Sequence, residues 1–210
     1  MQIVAVANAE QQAEFTAKGI GENASLQFVN TLGEVSFEPG ALFYLLSEEK
    51  LFAEIERLQA FTCPVFVHSI VHTLSELPSN FIRINAWPGF LKRPITEVAA
   101  STENATIVKN VFDCLRWKYQ CTPDVTGLIA ARIVAMVINE AYFTLGDEVS
   151  SKEDIDTAMR LGTNYPYGPF EWAEKIGKHN ILNLLNHLAA GDKRFTPAPE
   201  LVKETSVKWQ

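Results

Sequence analysis

The stretch Ser150–Gly177, SSKEDIDTAMRLGTNYPYGPFEWAEKIG, constrains the chain more than any other, because almost every position in it bears on how a helix begins or ends. Ser150 followed three residues later by Glu153 has the form of a capping box, in which hydroxyl and carboxylate each satisfy a backbone N–H of the first turn. Ile155, Ala158 and Met159 then share one helical face, and Gly162 suits the left-handed conformation that closes a helix. Gly168-Pro169 opens a second helix, since a proline at the first helical position gives up no donor the helix needs. Glu171 stands where a carboxylate favours the positive helix end. Phe170 and Trp172 supply apolar anchors, and Gly177 ends the segment. The expectation is a rigid brace of two short helices and a stiff turn, which by itself names no chemistry.

Upstream of the brace the pattern changes twice. Residues 3–7, 24–30, 41–46, 64–70, 80–86 and 95–99 are short apolar, β-branched or aromatic runs. Helical patterns separate several of them: one carrying Ala9, Ala13, Phe15 and Ala17, one capped by Ser47 with Leu51, Ile55 and Leu58 on a stripe, and one from Asn104 to Lys118. Strands alternating with helices predict a parallel α/β sheet for residues 1–121. From Leu128 onward only helical periodicity is left, with Ile129, Ile133, Met136, Val137 and Ala141 on one face and Gly146 past the end. Asn180–Ala190 repeats that pattern, and the tail from Thr196 reads as a loop and a final short helix. The expected domains are 1–121 and 122–210.

Composition narrows the partners. A net charge of -7 argues against nucleic acid and anionic membrane alike, because both would repel the chain. No apolar run approaches the roughly 20 residues of a membrane span, and the N-terminus MQIVAVANAEQQ lacks a signal-peptide pattern, so the expected location is cytoplasmic. Cys63, Cys114 and Cys121 have no metal-ligand spacing and read as buried free thiols of a reducing compartment. His68 and His72 would share a face of an extended strand, but no third ligand follows, so no metal is expected. Lys92 and Arg93 with Lys109, Arg116 and Lys118 read as a solvated face or as a basic patch. Tyr165, Phe170 and Trp172 read as core or interface aromatics.

The brace carries a resemblance. S-K-E-D-I-D-T-A-M, then L-G, then Y-P-x-G-P-F-E is similar to the C-terminal domain of 3-hydroxyacyl-CoA dehydrogenases, and Thr126–Ala141 resembles the long helix of that domain. The resemblance implies α/β plus all-α architecture: a shortened Rossmann-like parallel sheet domain followed by a helical domain of the 6-phosphogluconate-dehydrogenase-C-terminal-like kind. It also implies an NAD cofactor, an acyl-CoA-like ligand and a homodimer formed through the C-terminal helices.

Carried residue by residue, the same resemblance exposes losses. The family's H-F-F-N-P-V-P resembles Ile82–Pro88, with Asn85 and Pro88 in register and Ile82 at the catalytic histidine. The family's V-E-V matches I-T-E-V, which puts the histidine-orienting carboxylate at Glu97; a surface carboxylate is the plainer reading of that residue. The family's P-G-F-I-V-N-R matches Thr126–Arg132, with Ala131 at the substrate-binding asparagine and Arg132 kept. Ser69, Thr73 and Ser75 lie where the family carries an active-site serine. Oxidising a 3-hydroxyl requires a base of near-neutral pKa, and isoleucine is none; Arg83 beside it stays protonated and faces the other way. A dinucleotide fold also needs G-x-G-x-x-G after its first strand, and Ala7-Asn8-Ala9-Glu10-Gln11-Gln12 holds no glycine. The resulting expectation is a 3-hydroxyacyl-CoA dehydrogenase-like protein without hydride transfer and without a cofactor. Two candidates follow for its site, catalytic Glu97 and substrate-binding Asn85 and Arg132. The alternative is an active oxidoreductase on 3-hydroxyacyl-CoA or a related 3-hydroxy acid with NAD.

Overall fold

Strands that are apolar on both sides are covered on both sides, and the N-terminal runs behave so. In the computed structural model, which describes residues 1–206, the first unit spans Met1–Leu128 and the second begins at Ile129. The first contains β1 (Gln2–Val6), α1 (Ala9–Lys18), β2 (Ser25–Val29), β3 (Ala41–Tyr44), α2 (Glu48–Ala53), α3 (Ile55–Gln59), β4 (Val65–His68), β5 (Phe81–Ile84), β6 (Ile95–Ala99), α4 (Ala105–Leu115) and β7 (Lys118–Cys121). The strands form one sheet in the order β2-β1-β3-β4-β5-β6-β7. Alternation along each strand separates two core layers. Ile3, Phe43, Phe66, Ile82 and Ile84 meet Phe15 of α1 and Phe112 of α4 on one face. Val4, Tyr44, Val67 and Phe81 meet Leu51 and Leu58 on the other.

The sheet departs from the expectation in four places. It is not wholly parallel, because β6 runs antiparallel to β5, with Arg83 opposite Ala99 and Ile84 opposite Val98. The expected helix 104–118 stops at Leu115, where Arg116 takes a left-handed turn (φ 57°), and Lys118–Cys121 becomes a strand parallel to β6. The single helix expected after Ser47 breaks at Glu54 (φ -115°), whose carboxylate accepts from the Tyr44 hydroxyl at 2.6 Å. On α1 the buried face is Gln11, Glu14 and Phe15 rather than the alanines. The cysteines are free, but only Cys63 is buried; Cys121 is exposed.

The unit boundary at Leu128 lies beyond the stretch read from the sequence, for a local reason. Arg83 is fully buried, and its guanidinium pairs with Asp124 while donating to the carbonyls of Ser69 (3.2 Å), Ile70 (3.4 Å) and Val125 (3.4 Å). Gly127 N–H donates to Ile70 O at 2.7 Å, and Thr126 Oγ1 to Val71 O at 2.9 Å. Residues 124–127 are thus bound to the ends of β4 and β5.

The second unit is helical: α5 (Ala130–Gly146), α6 (Lys152–Thr163), α7 (Pro169–Ile176), α8 (Lys178–Ala189) and α9 (Pro199–Ser206). α6 is capped one residue later than expected, by Ser151, whose hydroxyl accepts from Asp154 N–H. Gly162 lies inside α6, and Asn164 (φ 56°) takes the left-handed end instead. On α5 the inward stripe is Ala131, Ala135, Ile138, Asn139, Ala141 and Tyr142, while Ile133 is 54% exposed. Asn139 clamps the tail, donating to Thr196 O and accepting from Ala198 N–H. Glu204 on α9 accepts from the Tyr142 hydroxyl at 3.0 Å and pairs with Lys152 and Lys178. No helix among the described residues is long and apolar enough to cross a membrane.

The brace owes its rigidity to one carboxylate. Asp156, buried on α6, accepts from the N–H groups of Phe170 (2.8 Å) and Glu171 (3.1 Å), which open α7 and have no intrahelical partner. Gly168 is required beside it, because a Cβ there would lie 2.3 Å from the Asp156 carboxyl carbon. Glu171 in turn accepts from Gly168 N–H at 2.9 Å and pairs with Arg160. Asp156→Ala is expected to cost about 2 kcal/mol, the value of a helix cap whose donors are then left buried. Hydrogen exchange at the Phe170 and Glu171 amides reads it, and unchanged protection there would contradict this account.

Candidate functional site

In an open sheet of this kind ligands sit outside the carboxyl ends of the strands, where the strand order changes direction. Here that point is β1, with β2 on one side and β3 on the other. The turn that follows β1 closes on itself. Asn8 caps α1, its Oδ1 accepting from Gln11 N–H at 2.9 Å while Asn8 N–H donates to Gln11 Oε1 at 3.0 Å. The Gln11 side chain, only 7% exposed, then reaches across the crevice and donates from Nε2 to Leu45 O, just past β3, and to Ala86 O (3.5 Å), just past β5. Glu10 adds a negative charge to the first turn of α1. A pyrophosphate needs bare backbone N–H groups at this helix end and space above them. The residues present do not fit one: a capping side chain, a buried amide and a carboxylate stand in its place.

The residues singled out in the sequence are not gathered into one cluster. Ile82 is fully buried in the core layer with Phe66 and Phe112. Arg83 faces the other side of the strand, as its alternation requires, and is engaged by Asp124. Extending the β5–β6 register by one residue sets Asn85 across from Glu97, which is partly exposed on β6. Asn85 is buried; its Oδ1 accepts from Trp87 N–H at 3.0 Å, and its Nδ2 has no partner among the described residues. Ala131 and Arg132 belong to the second unit, Ala131 buried within it and Arg132 placed with its guanidinium 4.7 Å above the Phe195 ring.

Other polar groups at the strand ends were not foreseen as a set. His68, at the end of β4, accepts from Ala86 N–H through Nδ1 at 3.1 Å, so a neutral ring carries its hydrogen on Nε2 and can donate there but not take a proton. Burial holds its pKa below the ordinary imidazole value, against a smaller opposing pull from the Glu48 charge. Glu48 accepts from Ser69 Oγ (2.8 Å) and from the N–H groups of Val71 (3.0 Å) and His72 (3.4 Å). Glu14 accepts from Gly89 N–H and from Lys92 N–H. Of the expected serine-region residues, Ser69 is buried on Glu48, while Thr73 and Ser75 bond each other at 2.8 Å on the surface. His72 lies apart from His68, against Phe52 and Glu76. Among the described residues no three His, Cys, Asp or Glu side chains could hold a metal. Of the basic residues, Lys109 pairs with Asp113 and Arg116 with Glu22. What could have flagged Gln11 is a glutamine-rich helix start directly after a buried strand, where a phosphate-binding turn would need glycine.

Comparison with known proteins places these features. The family model described as 3-hydroxyacyl-CoA dehydrogenase, C-terminal domain, matches residues 127–210. The chain is 50% identical over 76 residues to a 3-hydroxyadipyl-CoA dehydrogenase of Escherichia coli (strain K12), covering 35% of this chain and 16% of that protein. It is 31% identical over 137 residues to a probable 3-hydroxybutyryl-CoA dehydrogenase of Deinococcus radiodurans, covering 62% of this chain and 49% of that one. The matched stretch thus spans less than half the length of either relative. A solved (S)-3-hydroxybutyryl-CoA dehydrogenase from Ralstonia eutropha superposes with a TM-score of 0.75 at 16% identity, covering 98% of this chain and 92% of that one. A Mycobacterium tuberculosis protein, FadB2, gives 0.74 at 13%, covering 97% and 92%. At these identities the superpositions show a shared fold.

The buried imidazole gives a pH dependence. Its folded pKa lies below the unfolded value of 6.5, so the unfolded chain binds the extra proton first. Its contribution to stability is therefore complete above pH 6.5 and declines as pH falls below that value, at no more than about 1.4 kcal/mol per pH unit. Urea midpoints at pH 7.5 and 5.5 should differ more in the parent chain than in His68→Asn, which keeps an acceptor for Ala86 N–H and does not titrate. Equal differences in the two proteins would contradict a buried neutral His68.

Proposed function

We propose that the chain is a relative of the 3-hydroxyacyl-CoA dehydrogenases, matched through its C-terminal domain, that has kept the fold and given up hydride transfer. The observation that carries this reading is Gln11, whose buried amide bridges Leu45 O and Ala86 O where a dinucleotide would lie. The position of the proton-abstracting histidine supports it, since Ile82 is fully buried among aromatic rings. Two buried or half-buried carboxylates near the crevice support it further: Glu48 and Glu14 are already engaged by backbone N–H groups. In this reading the protein acts by binding. It pairs as a homodimer through the second unit, or with an active relative, in the cytoplasm.

One observation favours the alternative, an oxidoreductase acting with NAD on a 3-hydroxyacyl-CoA or a related 3-hydroxy acid. Asn85 keeps a buried Nδ2 donor without a protein acceptor, and such a donor costs about 1–3 kcal/mol when nothing meets it. A substrate oxygen would satisfy it, with Glu97, across from Asn85 in the extended β5–β6 register, as the candidate catalytic carboxylate.

NADH consumption with acetoacetyl-CoA, run beside a competent dehydrogenase, separates the two. The expected result is no turnover above background, and none restored by Ile82→His, because an acid–base group contributes ~10²–10⁴-fold only where a hydride acceptor is held. Turnover that survives purification and falls in Glu97→Gln would establish the alternative.

A further inference from the structure

Among the described residues every lysine but one is exposed or paired with a carboxylate. The exception is Lys18, half-buried on the last turn of α1. Its ammonium lies 4.4 Å from the centre of the Trp117 ring and donates to Thr96 Oγ1 at 2.5 Å. Both supports are fixed. Trp117 is buried against Phe15 and donates from Nε1 to Gly19 O at 2.7 Å, and Thr96 is buried on β6. They hold the ammonium in place, yet neither brings a negative charge to it. The charge that does act on it is another cation, Arg93, on the loop before β6. Arg93 lies over the Phe90 ring and enters no ion pair among the described residues. The remaining charges on the surrounding elements are engaged or turned away. Glu14, one turn earlier on α1, accepts from the N–H groups of Gly89 and Lys92, and Arg116 pairs with Glu22. Glu97 and Lys118 follow and precede residues of this face, Thr96 and Tyr119, and by strand alternation belong to the other face.

We infer that Lys18 is a nucleophilic amine, the site at which this chain takes an acyl group from a thioester with an anionic carrier. A lysine becomes a nucleophile near neutral pH when it is desolvated or set beside another cation, and Lys18 is both. Burial first, and then the Arg93 charge, bring its pKa down to about 8. In the step itself the Nζ lone pair attacks the carbonyl carbon. The N–C bond forms as the C–S bond breaks, the thiolate leaves, and the amine gives its surplus proton to solvent. The product is a neutral amide, so the reaction removes a charge from a half-buried place beside Arg93. An aldehyde fits less well, because its protonated imine would keep that charge there. The guanidinium alongside favours a donor whose leaving half is anionic, phosphate groups above all. Lys18 stands at the opposite end of α1 from the turn after β1, so this inference does not depend on whether a dinucleotide is bound there.

The test is acetylation of the full chain by acetyl-CoA from neutral pH to about pH 10, read lysine by lysine by mass spectrometry of its peptides. At about pH 7.5 an amine of pKa about 8 is neutral about 200-fold more often than an ordinary lysine. Lower basicity also makes a weaker nucleophile, as it does for thiols, so the net advantage over the exposed Lys50 and Lys193 is expected to be about tenfold. The pH profile separates this chemistry from mere exposure. The Lys18 rate should level off above about pH 8.5, while Lys50 and Lys193 go on rising. Arg93→Gln removes the repelling charge and should carry the Lys18 midpoint upward and lower its rate near neutral pH. The neutral thioester S-acetyl-N-acetylcysteamine should prefer Lys18 less than acetyl-CoA does. Acetylation of Lys18 no faster than that of Lys50, or a rate that climbs in step with it, overturns the inference. A midpoint unmoved in Arg93→Gln overturns the part given to that cation, and an equal preference with the neutral thioester overturns the anionic carrier.

Discussion

A peptide group at the end of a buried strand must find a partner, since an unmet N–H or C=O away from water costs as much as a lost hydrogen bond. At the carboxyl ends of β3, β4 and β5 this requirement decides what nearly every polar side chain does. Gln11 serves Leu45 O and Ala86 O, His68 serves Ala86 N–H, Glu48 serves Val71 and His72, and Arg83 serves Ser69, Ile70 and Val125. In a binding crevice such groups would be left for the ligand. Here these side chains sew the loops that rim the crevice to the sheet.

The second unit shows the opposite economy of means. Its signature residues are those with a mechanical duty: Asp156 completes the first turn of α7, Gly168 leaves room for that carboxylate, and Glu171 closes the turn on itself. Such contacts depend on local geometry rather than on catalysis.

Much of the fold could be read from periodicity, and the failures have physical causes. The buried strands β1, β3, β4 and β5 declare themselves because both faces are apolar, whereas β7, KYQC, is an edge with three exposed residues and looks like the last turn of the helix before it. The stripe Leu51, Ile55, Leu58 keeps helical spacing across the break at Glu54, whose carboxylate is held by Tyr44 from another element. Two adjacent serines each precede an acid by three residues, so the capping pattern alone could not choose Ser151 over Ser150. The loss of a glycine turn was legible in residues 7–12, but the role of Gln11 was not, since its acceptors lie 34 and 75 residues away. The antiparallel β6 has the same origin: strand direction is set by how the chain returns, not by the residues of the strand.

The clasp between Asp156 and α7 closes a loop of only 14 residues, whereas β1 must find β3 after the chain has gone out to β2 and returned. Loop closure and non-local pairing set the speed of folding. The brace of α6 and α7 should therefore gain its native contacts early and the sheet late. During that interval the open edges are β2 and β7, both short and both carrying polar side chains outward. Short polar edges resist pairing with another chain, so the slow half of this molecule is also the half whose exposed borders are least able to aggregate.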